Sequence, residues 1–298
     1  MPFWDMLWHP IKLISMEATK LSMVYSKPPA PTQTECETLV SGIEKSILAM
    51  VSYYYSLPKS QGLTLRKELH TKVIQVVERV QNLVEIVSKY SGSERLQSTG
   101  LVWEETDDFD DLPKDNREAA LFIIEQTTDL VKDALQEIEQ ALELGGEDDY
   151  LNDILDANEP RNNADEWSES DKTVISTGMG LIKTVKSTLK KTRDVIKTNG
   201  NCNCENNISQ LDDICDYVKK LSCIVDEMTI VLYPPIVIPS VQTKVDLLDS
   251  SISSILQILK NSHVTSSGDE KWIEFLYKAK QHNLDKITEA LTMNDHNL

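Results

Sequence analysis

The sequence predicts an all-α protein, built as two antiparallel helical bundles joined by an acidic, partly disordered linker. Three observations carry that reading. Apolar residues recur at alternating spacings of four and three through one long segment after another, the period that holds side chains on one stripe of a helix. Glycine (10) and proline (11) are few among 298 residues, and no segment shows sustained strand alternation. Acidity is concentrated in one place: residues 101–172 hold 24 Asp/Glu against 5 Lys/Arg, so the net charge of -18 belongs to that region and the remainder is close to neutral. At this length roughly two domains are expected, and 40% apolar residues suffice for real cores. The boundaries follow as an N-terminal bundle over 1–144, the acidic linker over 145–171 and a C-terminal bundle over 172–298.

The opening MPFWDMLWHPIKLI is aromatic and apolar, but Asp5, His9, Pro10 and Lys12 break it up. Nothing in the chain approaches the 18 or so apolar residues that a membrane span needs. A helix over 34–57 starts on Thr34 and Glu37, a capping box that satisfies two orphan N–H groups reciprocally. It carries Cys36, Val40, Ile43, Ile47, Met50, Tyr54 and Leu57 on one stripe. Of the triplet Tyr53-Tyr54-Tyr55 only Tyr54 continues that stripe, and Pro58 ends the helix. Tyr25 and Tyr233 likewise stand just before prolines. They read as corner aromatics, a ring inside and a hydroxyl outside, with a phosphotyrosine or peptide-binding patch as the alternative.

The next helix runs from about Thr64 to Ser91, with Leu69, Val73, Val76, Val80, Leu83 and Val87 on a face wide enough to meet two neighbours. Residues 93–112, which include ETDDFDDLP, read as a polar connector. Asp115 and Glu118 then open a helix over 113–144 with the chain's cleanest heptad, Leu121, Ile124, Thr128, Val131, Leu135, Ile138 and Leu142. That stripe suits an intramolecular core; an intermolecular zipper is the alternative. A helix over 171–199, one beyond the turn NCNCENN that carries Leu211 to Leu232 and stops at Pro234-Pro235, and one over 240–262 follow. The last begins on Ser267 and Glu270.

Candidate interaction residues cluster around the acidic segment. In GEDDYLNDILDANEPRNNADEWSESD the apolar islands Tyr150, Leu151, Ile154, Leu155 and Trp167 suit docking into a partner's groove, against the alternative of a solvated linker or a strap over the protein's own surface. Ser168 and Ser170 among acids suit acidophilic phosphorylation. On the following helix Lys183, Lys186, Lys190, Arg193 and Lys197 form a basic stripe at spacings of three and four. A solvated face, pairing with the chain's own acids and an acidic partner all remain open for it, while the overall negative field opposes nucleic acid and anionic lipid.

Catalytic chemistry has no signature here. The phosphate-binding, dinucleotide-binding, nucleophile-elbow and H-E-x-x-H patterns are all missing from the sequence, and the five histidines stand alone. Cys202 and Cys204 in NCNCENN, with Cys215 and Cys223 beyond, lack the paired C-x2-C spacing of structural zinc. Neither catalytic residue, metal nor cofactor is expected. Five cysteines without a secretory leader pattern suggest a reducing compartment.

Taken in order, EATKLSMVYSKPP, YYYSLPKSQGLTLRKEL, PKDNREAALFIIEQTTDLVKDALQEIEQAL, QLDDICDYVKKLSCIVDEMTIVLYPP and SHVTSSGDEKWIEFLYKAKQ resemble the cyclin-D-binding protein family, also called Maid homologues. The resemblance spans nearly the whole chain. It implies an all-helical, non-enzymatic regulator of nucleus and cytoplasm that binds D-type cyclin, helix-loop-helix transcription factors and a signalling adaptor protein, and so restrains cell-cycle progression and transcription. It also implies that relatives start further upstream, so part of the first bundle is expected to precede MPFWDMLW. The helix-loop-helix character ascribed to the family would fall on 113–144 and 171–199. No basic region precedes the first of these, so sequestration is expected and direct DNA reading is not. Long bundles of this kind also resemble the helical rods of vinculin, catenin and talin, which makes a scaffold the alternative, by fold-level analogy.

Overall fold

The computed structural model describes residues 3–26, 29–89, 92–143 and 167–295. Among them are nine α-helices and no strand: α1 Phe3–Val24, α2 Gln33–Ser56, α3 Leu63–Lys89, α4 Ser93–Asp107, α5 Asn116–Glu143, α6 Glu169–Asn199, α7 Glu205–Leu232, α8 Ile238–Lys260 and α9 Glu270–Asp295. Two compact units result, Met1–Ala119 and Ala120–Leu298. The expected all-α class with two helical halves is what the chain adopts.

In the first unit α1 to α4 run antiparallel, each against the next, and α4 returns to α1. Tyr25 Oη lies 2.9 Å from Cys36 Sγ, joining the end of α1 to the start of α2. The Tyr54 ring meets His70 of α3 at 5.4 Å. Lys72 of α3 pairs with Glu105 at 2.8 Å and Asp108 at 2.9 Å. Trp103 Nε1 of α4 donates to Thr19 Oγ1 of α1 at 2.9 Å. Between them lies a core of Leu7, Ile11, Ile14, Met50, Tyr54, Leu69, Val76, Leu83 and Val102. Each such side chain, fully buried, contributes about 1.5–3 kcal/mol of transfer free energy. Tyr54 is buried while Tyr55 is exposed, so the tyrosine triplet turns a corner as its periodicity predicts.

Helix α4 corrects the sequence reading, which left 93–112 as a connector. Its buried face is Arg95, Ser98, Thr99, Val102, Glu105 and Thr106, with a single strongly apolar residue. A periodicity of hydrophobic residues cannot register a helix that buries a polar face. Thr99 and Thr106 satisfy their hydroxyls on the backbone carbonyls of Arg95 and Val102, and Glu105 on Lys72.

Two helix starts also shift. The α2 capping box is Thr32 with Glu35, not Thr34 with Glu37. The two T-x-x-E pairs overlap in TQTECE, and the upstream pair gives the longer helix. The box before α9 is Ser266 with Asp269, on a short 3-10 turn, instead of Ser267 with Glu270. At α5 the expected pair holds: Asp115 Oδ1 accepts from the Glu118 N–H at 2.8 Å, and Glu118 reaches back to the Lys114 N–H at 2.7 Å.

The start of α3 is capped from a distance. Gly62, at φ +115, precedes it and has no side chain to offer. Asn116, wholly buried in the first turn of α5, supplies Oδ1 to the Leu65 N–H at 3.0 Å. A Cβ on Gly62 would sit 2.0 Å from the Asn116 side chain. The absent side chain is what admits the cap.

In the second unit α5 through α9 surround one core. Gly178 lets α7 approach α6, since a Cβ there would lie 2.8 Å from Leu232. Asn283 of α9 donates to Gly180 O at 3.0 Å and Thr184 Oγ1 at 2.9 Å on α6. Lys244 of α8 pairs with Glu227 of α7 at 2.8 Å. The stripe of α5 from Ile123 to Ile138 belongs to this core; only Ala119 joins the first. The compact units therefore divide inside α5, whereas the sequence reading placed the boundary at 144. Periodicity assigns a helix its apolar face but not the neighbour that covers it.

Candidate functional site

The basic stripe of α6 is laid along α5. Lys183 Nζ pairs with Glu139 at 2.8 Å, and Arg193 reaches Glu125 at 3.6 Å and its own neighbour Asp194 at 3.6 Å. The early part of α5 thus meets the late part of α6, an antiparallel pair held at its rim by surface charges worth about 0–1 kcal/mol each. Lys186, Lys190 and Lys197 are exposed. The first two make no ion pair with a described residue. The stripe accordingly has Lys183 and Arg193 in a structural rim and leaves Lys186 and Lys190 facing solvent.

Tyr150, Leu151, Ile154 and Leu155 lie outside the described residues. Trp167 is half-buried, packed on the core of the second unit, and its ring stands edge-on to Tyr233 at 5.7 Å. The exposed Ser168 is the N-cap of α6: its Oγ accepts from the Asp171 N–H at 3.0 Å and donates to the Asp171 carboxylate at 2.7 Å. Ser170 is partly buried as the second residue of the helix. Trp167 and the two serines therefore sit at one helix entrance, where the ring is already engaged by its own protein.

Two buried polar clusters tie the second unit together. Lys280 is 8% exposed, and its ammonium is held by Asp249 and, at 2.7 Å, by Ser253 Oγ. The Tyr277 hydroxyl donates to Ser253 O at 3.3 Å, and burial pushes its pKa up. His263, between α8 and α9, bridges two turns. Its Nδ1 lies 2.8 Å from Gln210 Oε1, and Nε2 accepts from the Asn201 N–H at 3.3 Å. Burial pushes the His263 pKa below its ordinary 6.5. The neutral ring with its proton on Nδ1 satisfies both contacts, and protonation of Nε2 would set a donor against a donor.

That shift has a sign. The unfolded chain binds its proton at higher pH than the folded one does, so this contribution to stability is full above 6.5 and declines as pH falls towards the folded pKa. Urea midpoints measured from pH 7.5 down to 5 are expected to drop more in the native protein than in His263→Gln. Equal pH slopes in the two would remove His263 as a source of the acid sensitivity.

Among the described residues no group of three or more His, Cys, Asp or Glu is placed to hold a metal ion, and no helix is long and apolar enough to cross a membrane. Cys215 is buried in the core, while Cys204 and Cys223 are exposed. Sequence reasoning missed one surface feature, an apolar seam between α1 and α4 formed by Met16, Met23, Leu96 and Trp103. Met16 and Met23 lie on α1, Leu96 and Trp103 on α4, and only the packing of two helices that are distant in sequence brings the two pairs together.

Comparison with known proteins decides the family. Residues 8–144 match the family model described as Grap2 and cyclin-D-interacting, N-terminal, and residues 144–257 match its C-terminal counterpart. The chain belongs to the Grap2 and cyclin-D-interacting family. Among its relatives, the Cyclin-D1-binding protein 1 homolog of Xenopus laevis is 40% identical over 97% of this chain and 89% of the relative. That of Danio rerio is 38% identical over 97% and 86%. Cyclin-D1-binding protein 1 of Homo sapiens is 32% identical over 96% and 84%. The two Grap2 and cyclin-D-interacting models meet at residue 144, after α5, although α5 packs in the second unit. The basic stripe and the Trp167–Ser170 entrance fall in the C-terminal model. The α1–α4 seam falls in the N-terminal one.

Proposed function

We propose that this chain is a non-enzymatic regulatory protein that binds D-type cyclin. The observation that carries the reading is similarity to cyclin-D1-binding proteins at 32–40% identity along nearly the entire chain, covering both helical units. The physical chemistry is consistent with it. The apolar stripes are consumed inside the units, and the clusters of titratable groups, around Lys280 and His263, are satisfied by their own neighbours instead of opening on a cleft. Such a molecule acts by occupying partner surfaces.

The finer reading is that it also sequesters helix-loop-helix transcription factors and engages a signalling adaptor, restraining cell-cycle progression and transcription from both cytoplasm and nucleus. The lack of a basic region before α5 supports sequestration over DNA binding. Adding the purified chain to a helix-loop-helix factor already bound to its DNA site is expected to release the DNA without forming a slower ternary band. A supershifted ternary complex would contradict sequestration. Purified D-type cyclin is expected to co-precipitate with the full chain, and its absence from the precipitate would remove the primary reading.

A further inference from the structure

The seam between α1 and α4 carries four exposed large apolar residues of the first unit. Met16 and Met23 stand seven residues apart on α1, two turns and about 10 Å along one face. Leu96 and Trp103 stand seven apart on α4. The antiparallel packing of the two helices is fixed by Trp103 Nε1 on Thr19 and by the Arg95 guanidinium on Tyr25 O. Met23 is thereby set level with Leu96, and Met16 with Trp103.

Their exposures are 54% for Met16, 68% for Met23, 68% for Leu96 and 43% for Trp103. Gly100 lies between the two α4 residues with open space above it. Together they present apolar area on the scale of the largest patch of a typical monomer, about 300–600 Å². Two thioethers on a rim of this kind make a deformable apolar surface.

Charge selects the occupant. The α4 side of the seam is bounded by Glu104 and Asp107, and the turn that follows adds Asp110 and Asp111. All four are exposed, and none forms an ion pair with a described residue. The cations beside the seam are already engaged: Lys20 with Glu17 at 2.6 Å, and Lys12 over the Trp8 ring at 5.0 Å. An apolar ladder with a 10 Å repeat beside a row of unpaired carboxylates fits an amphipathic helix with apolar residues at i, i+3 or i+4, and i+7, flanked by lysine or arginine.

We propose that the α1–α4 seam is the docking surface for a cationic amphipathic helix of a protein partner. This deepens the binding reading above by naming where a partner is held and by what chemistry. The surface belongs wholly to the first unit. It does not use the acidic segment 145–171.

The test uses the full chain and a fluorescent synthetic helix with leucines on one face and lysines flanking them, beside a matched peptide flanked by glutamates. Anisotropy is expected to show saturable binding of the lysine peptide only. Met23→Ser combined with Leu96→Ser should weaken it about tenfold, with unchanged helicity and melting temperature. Glu104→Lys combined with Asp107→Lys, at positions outside the core, should reverse the preference to the glutamate peptide. The proposal is overturned if the wild-type chain does not bind the lysine peptide, if it binds both peptides equally, or if neither double variant changes the preference or the affinity. Cyclin binding is measured in parallel on the same proteins. Loss of the cyclin but not of the peptide in the wild type would sink the cyclin reading and leave the seam standing; cyclin binding without peptide binding would do the reverse.

Discussion

Replacing Gly62 with alanine is expected to destabilise the first unit by about 3 kcal/mol. Two costs act together. An L-residue at φ +115 is strained by about 1–3 kcal/mol, and the new methyl would sit 2.0 Å from Asn116 and force that side chain off the Leu65 N–H. Asn116→Ala isolates the second cost. It leaves a buried N–H without its partner in the first turn of α3, a penalty of about 1–3 kcal/mol. The pair is non-additive by this account, because Gly62→Ala already displaces the Asn116 amide. A double-variant cycle read by urea denaturation checks it. Fully additive losses would show that the cap and the glycine act separately.

Asp249→Ala is expected to cost about 2–4 kcal/mol, and Lys280→Met less than about 1 kcal/mol, although both break the same ion pair. The asymmetry comes from burial. Lys280 is 8% exposed, and without Asp249 its ammonium keeps the Ser253 hydroxyl and the Tyr277 ring face at 5.7 Å but no counter-charge. Methionine fills the same volume and leaves no buried charge behind. Tyr277 keeps its bond to Ser253 O in either variant. Thermal or urea unfolding separates the outcomes, and a Lys280→Met loss as large as that of Asp249→Ala would contradict the account.

The parts of this fold that sequence made legible are those where a stripe of aliphatic side chains was long and regular. Residues 171–199 and 240–262 were located to within about two residues, because Ile175 to Ile196 and Val245 to Leu259 repeat at helical spacing into a buried core. Helix α4 was invisible for the converse reason: Arg95, Ser98, Thr99, Glu105 and Thr106 fill its inner face. The ownership of α5 was equally hidden, since Leu135 and Ile138 look the same whether α1 or α6 covers them. Overlapping caps at Thr32 and Thr34 left the start of α2 to a choice that only the folded chain makes.

The interaction surface was the least legible feature. Islands of Tyr, Leu and Ile in an acidic run stand out in a sequence, as do lysines at spacings of three and four. Two of the five basic residues proved to belong to a helix rim, Lys183 on Glu139 and Arg193 on Glu125. The α1–α4 seam gives no such local signal. It exists because two helices from different ends of one unit pack antiparallel, and a sequence pattern within either helix contains half of it.

The central claim is that the folded chain works by stoichiometric occupation of a cyclin surface. Isothermal titration of this chain into purified D-type cyclin tests it most directly. The account predicts saturable binding at a fixed stoichiometry, with the negative heat-capacity change of apolar burial. A flat titration across temperatures, with both proteins folded, would contradict it.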